Sequence, residues 1–546
     1  MTGLSTSLPW LLDQAAAATP DRPCLSFLGR TYSYAEVAGL AARVAKGLQK
    51  LGVCKGERVG LCLPNSPYFV ACYFGALKAG ATVVAFNPLY TEDEIRALIV
   101  DSGTVVMITL DLQVLYPKVA AALHSTKLRI AVVCPLSDAM PLSKGLLFRV
   151  LKRGSIAPVR YSPAVLPFNS LVSNGDEPEP VTIDADSDPA VLQYTGGTTG
   201  VPKGAILTHA NLMANVEQVR LLLEDSGLEG GRLLALLPLC HAFAMTSAMN
   251  LALASRSEIV LLPRLDMKQM LRTIETERPT LFPVVPALCV AMLSYPGVER
   301  FDLSSLRCCI SGGAPLPTEL KQRFEKRFGI PVVEGYGLTE ASPVVTCNRL
   351  GEIGPPGSVG RPLARTEVDI RALDDPTRAL PAGERGEVVV RGPQVMAGYW
   401  NHPEESREVL QGGWLRTGDV GHRDENGFLF LTGRIKEVIL RSGYNVYPRT
   451  IEEALFCHSA VAEAAVIGIP DERCGEVPKA FVRLRDGEHV SEAELLAFVA
   501  TRLNPLERPV TVEFRSELPK TVVGKVSGQE LARQEAAKRE ERSGHG

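Results

Sequence analysis

The chain carries no surplus of positive charge: 58 Lys and Arg against 61 Asp and Glu give a formal net charge of -3 over 546 residues. Nucleic-acid binders neutralise phosphates with a basic field, so that class of partner is set aside. There is no Cys-x-x-Cys pair and no Cys/His group at zinc spacing; the 12 cysteines are scattered, and Cys308 and Cys309 are merely adjacent. A structural zinc site is not expected, and a reducing cytoplasm is the simple reading. The first residues, MTGLSTSLPWLLDQAAAATPDRP, lack the basic region of a secretory leader, and the most apolar later run, Leu281 to Leu293, is broken by Pro283 and Pro286. A first helix is expected from the former and buried core from the latter, with no transmembrane segment.

What is present is ample apolar material, with 46% hydrophobic and 22% charged residues, in a chain longer than one hydrophobic core usually supports. Two or more domains sharing a cleft are expected. Between about Ser33 and Leu110, and again between 232 and 340, helical patterns alternate with short apolar runs such as RVGLCL, LFPVVP and PVVEGYG. Alternation of this kind predicts α/β architecture, with two helix-covered, mostly parallel sheets. From Gly357 to Leu431 short alternating runs and Gly/Pro turns predict a small β-rich, barrel-like subdomain. A boundary is expected at Gly433 to Lys436, followed by a compact α+β domain of about a hundred residues. Its last stretch, ARQEAAKREERSGHG, is polar and expected to fray.

The chemistry concentrates in VLQYTGGTTGVPKGAILTH, where Tyr194 to Gly204 lies between the apolar runs Ala190 to Leu192 and Ala205 to Leu207. Gly196, Gly197, Gly200 and Gly204 permit positive φ and close backbone approach, so N–H groups can converge on phosphate oxygens. Thr195, Thr198 and Thr199 add hydroxyls and Lys203 adds charge. A plain hairpin turn needs one or two glycines, not four with three threonines and a lysine. Lys203 precedes Gly204 rather than Ser or Thr, and strands flank the loop, so a Walker A site is disfavoured.

The loop resembles the signature of the adenylate-forming superfamily of acyl-CoA synthetases, peptide-synthetase adenylation domains and luciferases. Further blocks match in order: LPLCHAF, SGGAPL, EGYGLTE, GWLRTGDVG, GRIKEVILRSGYNVYP and LPKTVVGK. YTGGTTGVPKGAILTHANL, QVMAGYW and VILRSGYNVYP look most like bacterial long-chain or medium-chain fatty-acid CoA ligases. The resemblance implies an AMP-binding N-terminal domain over 1–433, a hinge at 434–436 and a mobile C-terminal domain over 437–546. ATP and Mg²⁺ are the implied cofactors, with coenzyme A as co-substrate.

Carried over residue by residue, the resemblance implies that Gly313, Ala314 and Pro315 line one side of the purine, that Tyr336 stacks on it, and that the backbone around Gly335 and Gly337 reads its edge. Thr339 and Glu340 then face the phosphates. Glu340 is a hard oxygen ligand suited to Mg²⁺, with Thr195 as hydroxyl partner. Asp419, read from composition alone as an Asx-turn residue before the strand GFLFL, receives the ribose hydroxyls, with Arg434 at the same sugar. His241 is implied beside the acyl carboxylate as a substrate-binding group, and Lys436 as the hinge. Lys525 is the catalytic lysine that stabilises charge at the α-phosphorus, with Lys203, Thr339 and Glu340 also in the catalytic set. Gly443, in the loop Arg441 to Tyr444, lets pantetheine pass. Downstream of Lys525, VSGQEL departs from the more basic continuation of many relatives.

The implied reaction is attack of a carboxylate on the α-phosphorus of ATP, loss of pyrophosphate, and displacement of AMP by a thiol. A fatty acid is the expected substrate and an aryl acid such as a cinnamate the rival. A nucleotide-binding regulator without chemistry and a P-loop phosphotransferase are the readings from other classes; Lys525, Glu340 and Asp419 argue against the first, and an ADP product would mark the second. No carrier-protein domain is seen, which disfavours a modular peptide synthetase. The segment SKGLLFRVLKRGSIAPVRY places Lys144, Arg149, Lys152, Arg153 and Arg160 among apolar residues. It is read as a solvated loop, with peripheral contact at the inner membrane surface as the alternative. A homodimer is the default oligomer.

Overall fold

The computed structural model describes residues 7–175, 177–195, 202–223, 229–352, 354–471, 473–521 and 526–543. Two large sheets form the bulk of the molecule. One has eight strands, of which six, from Pro189–Thr195 through Thr82–Ala85, Arg58–Cys62, Thr104–Leu110 and Ile130–Cys134 to the edge strand Val165–Pro167, run parallel. Lys203–Thr208 and Gly398–Tyr399 continue it antiparallel. The other has nine strands, with a parallel centre that includes Leu281–Val284, Cys308–Ser311 and Val332–Gly337. These central strands are buried on both faces, which is why they read as continuous apolar runs rather than alternating ones.

Helices cover the sheets because the sequence supplies starts and close-packing positions for them. Tyr34–Lys50 begins on a capping box between Ser33 and Glu36, and Glu92–Ser102 on one between Thr91 and Glu94. The helix Pro67–Lys78 approaches Tyr34–Lys50 through Gly75, where a Cβ would lie 2.6 Å from Val44. Any larger residue at 75 would push the two helices apart. The run Leu281 to Leu293 becomes a buried strand and the helix Pro286–Ser294, as expected of core.

A five-stranded antiparallel sheet follows, built from Glu367–Arg371, Gly386–Arg391, Leu410–Gln411, Trp414–Arg423 and Leu429–Arg434. Beyond it, another five-stranded sheet, centred on Val461–Asp471 and Gly475–Leu484, carries apolar clusters of its own around Ile451, Leu495 and Phe481. Over its described residues the tail is ordered helix, unlike the coil that composition suggested. Gly528–Ser543 is a helix, held because Leu531 is buried and Glu535 accepts from Lys479 Nζ at 2.8 Å.

The basic apolar segment also departs from its sequence reading. Leu142–Leu151 is a helix, not a solvated loop. Its inner side is fixed by Gly145, where a Cβ would lie 2.4 Å from the Ser137 carbonyl, and by Phe148, which packs on the main core.

Candidate active site

The glycine-rich loop is closed at its base by an antiparallel pair, Pro189–Thr195 with Lys203–Thr208, so the expected flanking strands are present. Gly196, Gly197, Thr198, Thr199 and Gly200 lie outside the described residues. Thr195 Oγ1 donates to the Lys203 carbonyl at 3.4 Å across the loop base. Gly204 does not serve the turn: it sits within the strand at ordinary φ, and a Cβ there would lie 3.1 Å from the Tyr194 ring. Its small size is needed for close packing rather than for left-handed backbone.

Lys203 Nζ lies 3.6 Å from Glu405, in the helix Pro403–Val409, and 5.6 Å from the ring centroid of Tyr399, in the sheet's last strand. Tyr399 in turn donates its hydroxyl to Glu340 Oε1 at 2.8 Å. These contacts put Lys203 and Glu340 on one wall. The turn Thr339–Ala341 that carries Glu340 is held from behind, since Thr246 Oγ1 donates to the Ser342 carbonyl at 2.7 Å and Ser342 Oγ to the Gln394 carbonyl at 2.8 Å. Asn215 adds a clamp, exchanging hydrogen bonds with both the N–H and the C=O of Val344.

Asp419 stands inside the strand Trp414–Arg423 and not in a turn, correcting the composition-based reading. There it faces the neighbouring strand's Arg434, whose Nε donates to Asp419 Oδ1 at 2.8 Å. Tyr336 donates its hydroxyl to Asp419 Oδ2 at 2.6 Å. Burial and the Asp419 charge push the Tyr336 phenol well above its ordinary range, so it remains a donor at any physiological pH. Tyr336, Asp419 and Arg434, separated by 83 and 15 residues, are thereby one constellation.

The turn after Cys308–Ser311 supplies Gly312, Gly313, Ala314 and Pro315, with Gly313 at φ +77°. A residue that sequence reasoning missed holds it. Glu334, buried in the next strand, accepts from the Leu316 N–H at 3.1 Å. The signal was an acidic residue inside an otherwise apolar strand, PVVEGYG, where a charge needs a partner. Burial pushes the Glu334 carboxyl up to about 7 against the opposing pull of Arg449 and Lys321, with Glu453 adding to the rise. Arg449 belongs to the helix Pro448–Phe456 of the C-terminal sheet region.

A carboxyl whose folded pKa lies above its unfolded value contributes stability at low pH that is lost as pH rises through about 7. Glu334→Gln keeps an acceptor for Leu316 and cannot ionise. Between pH 5 and 8 its stability relative to wild type should therefore rise, by roughly 3 kcal/mol at most. Paired denaturant titrations at the two pH values check this; a gap that stays constant refutes it.

His241 caps the short helix Ala242–Ala244, its Nδ1 accepting from the Phe243 N–H at 3.3 Å. Because Nδ1 accepts, the ring proton sits on Nε2. Burial lowers the imidazole to about 4, so His241 is a neutral donor across the physiological range and not a base.

These groups line two adjoining cavities. The first, about 540 Å³, is walled by Thr195, Lys203, His241, Thr339, Glu340 and Arg434, and runs on among Val219, Leu222, Leu223, Phe243 and Val344. The second, about 470 Å³, is bounded on one side by Ala314, Pro315 and Asp419 and on the other by Arg449, Glu463, Lys520 and Val526 of the C-terminal region. Gly313, Gly335, Tyr336, Gly337, Arg434 and Lys436 border both. Lys525 lies outside the described residues, but Lys520 and Val526, paired as a β-bridge on either side of it, face the second cavity. Gly443 is not gathered with the rest: at φ +82° it forms the turn between Ile439–Arg441 and Tyr444–Val446, lining neither cavity.

Residues 12–400 match the AMP-binding enzyme family, and residues 450–525 match the AMP-binding enzyme C-terminal domain. The chain belongs to the AMP-binding enzyme family. Among its relatives is a long-chain-fatty-acid–CoA ligase of Bacillus subtilis, 41% identical over 97% of this chain and 94% of that protein. A feruloyl-CoA synthase of an Amycolatopsis species is 36% identical over 95% and 97%. The crystal structure of the anthranilate CoA ligase AuaEII in complex with anthranoyl-AMP superposes with a TM-score of 0.85 at 29% identity, covering 99% of each chain. These likenesses bear out the expected adenylate-forming superfamily, its fold, and the acid–thiol ligase class.

Magnesium fits the residues of the first cavity in kind. The carboxylate of Glu340 and the hydroxyl of Thr195 line the same cavity as Lys203, whose wall also carries Glu387, Glu405 and Glu408. Among the described residues no three His, Cys, Asp or Glu side chains gather as a metal cage. Such a donor set suits an ion that takes most of its ligands from phosphate oxygens and water.

Proposed function

We propose that the protein is an ATP-dependent acyl-CoA synthetase that activates a fatty acid as its adenylate and passes the acyl group to coenzyme A. One observation carries the reading: a single cavity is lined both by the polar groups of Lys203, Glu340 and Arg434 and by the apolar side chains of Val219, Leu222 and Leu223, with His241 also on its wall. An acid whose carboxylate must meet a phosphate while its chain stays dry needs such a cavity.

In the proposed reaction a carboxylate oxygen bonds to the α-phosphorus as the bond to pyrophosphate breaks. The thiol then gives up its proton to solvent and bonds through sulfur to the carbonyl carbon as AMP leaves with the electron pair of the broken C–O bond. Tyr336, Asp419 and Arg434 hold the nucleoside, Asp419 through the ribose hydroxyls. His241 donates from Nε2 to the carboxylate and orients it. Lys203 and Lys525 oppose the charge that builds on the phosphates. Magnesium bound at Glu340 and Thr195 would neutralise the same phosphates. The orientation of the C-terminal region, with Lys520 and Val526 at the second cavity and Gly443 away from both, supports assignment to the adenylating half-reaction. Rotation about Lys436 between 434 and 436 would then exchange Lys525 for the Arg441 to Tyr444 loop. Cytoplasmic residence belongs to the same proposal.

The aryl-acid reading has a specific support of its own in the 36% likeness to a feruloyl-CoA synthase. The two separate on chain length. Each buried methylene adds ~0.8 kcal/mol, so kcat/KM for AMP formation should climb roughly fourfold per carbon until the cavity's apolar space is filled. AMP release measured across a fatty-acid series and hydroxycinnamates decides the matter; activity confined to the aryl acids refutes the fatty-acyl assignment.

A further inference from the structure

The helix Leu142–Leu151 stands apart from both cavities and turns an unusual face outward. Leu142, Leu146 and Val150 form one ridge at fourfold spacing, 95%, 66% and 64% exposed, and Leu147 and Leu151 form the next, at 55% and 69%. Five large aliphatic side chains side by side in water carry a hydration cost that a free surface has no reason to keep. The helix is not loosely placed. Gly145 rests on the Ser137 carbonyl, Arg149 Nε donates to Ser137 Oγ at 2.8 Å, and Lys144 Nζ donates to the Leu28 carbonyl at 2.9 Å.

The charge around this face is of one sign. No Asp or Glu occurs between Asp138 and Asp176, while Lys144, Arg149, Lys152, Arg153 and Arg160 all do. Arg149 pairs with Asp138; among the described residues Lys144, Lys152, Arg153 and Arg160 make no ion pair. The basic residues are exposed, as is Tyr161. The whole chain is slightly acidic, so this is a local concentration and not a general trend.

We propose that this face docks on an anionic phospholipid surface, the aliphatic ridges entering the boundary between headgroups and acyl chains and Lys152, Arg153 and Arg160 meeting the lipid phosphates. An interfacial helix needs an apolar side, a basic rim and a rigid mount, and all three are present. A second copy of the chain is a poorer occupant, because a two-fold contact through this face would set the same basic residues against one another. The proposal does not depend on which acid the enzyme activates.

The test is co-sedimentation of the full chain with vesicles of phosphatidylglycerol and phosphatidylcholine, and with vesicles of phosphatidylcholine alone, at low and high salt. Wild type should sediment with the anionic vesicles and less with the neutral ones, losing part of its binding as salt rises. Leu146→Glu with Val150→Glu should lower the bound fraction about tenfold or more, and Lys152→Glu with Arg153→Glu should remove the preference for anionic lipid. AMP formation with a water-soluble acid should be unchanged in both variants, since neither pair touches a cavity. Absence of wild-type sedimentation, equal sedimentation of the leucine–valine variant, or a wild-type dimer that this variant dissolves without any vesicle binding would each overturn the proposal.

Discussion

Lys525→Ala is expected to lower the rate of AMP and pyrophosphate formation by about a hundredfold or more while ATP still binds. A pre-positioned donor aimed at charge that develops in the transition state is typically worth about 3 kcal/mol, and its loss falls on the rate and not on ground-state affinity. The purine and ribose contacts proposed for Tyr336, Asp419 and Arg434 do not involve position 525, which is why calorimetric ATP affinity should survive. Supplying a synthetic acyl-adenylate with coenzyme A isolates the second step, which should run at near the wild-type rate in the variant. Normal pyrophosphate formation by Lys525→Ala would remove this lysine from the reaction.

The second large effect is expected at Asp419. Its carboxylate is buried and receives both the Arg434 guanidinium and the Tyr336 hydroxyl. Asp419→Ala strands two donors that no longer have an acceptor. Fully buried pairs broken in this way cost 3–5 kcal/mol, but the Arg434 side chain is 39% exposed and water will take part of its charge, so about 2 kcal/mol of stability is the expected loss. Nucleotide affinity should drop with it, because Tyr336 loses the bond that fixes its ring. Asp419→Asn keeps one acceptor oxygen and should recover most of the stability while still impairing ATP binding. Thermal melts with and without ATP separate the two; an alanine variant with wild-type melting and affinity would contradict the constellation.

The parallel cores were legible in the sequence because strands buried on both faces and helices with capping boxes leave local marks, and the ordered motif blocks marked the site. Four features were not legible, each for a physical reason. Gly204 looked like a turn glycine because sequence shows that a side chain is missing but not whether the space is needed by backbone torsion or by a neighbour such as Tyr194. Asp419 looked like a turn residue because its partners lie 15 and 83 positions away, beyond any local pattern. The tail and the segment around Leu146 looked like solvated coil because the contacts that hold them, Leu531 and Glu535 in one and Gly145 and Phe148 in the other, are ones that only the tertiary fold provides.

The wall shared by the two cavities has a consequence for what can leave the enzyme. Gly313, Gly335, Tyr336, Gly337, Arg434 and Lys436 face both chambers, so a nucleotide seated against them as proposed would be a stopper between the first cavity and the C-terminal side. On the proposed reading, an adenylate made there would be tethered at both ends, by its chain in one chamber and its purine in the other. Escape requires both to let go together, whereas attack at the carbonyl between them requires neither. Leakage of a hydrolysable intermediate is thus opposed by the layout of the site itself, and should become measurable when either end is shortened: with very short acids, or with nucleotides trimmed of the base.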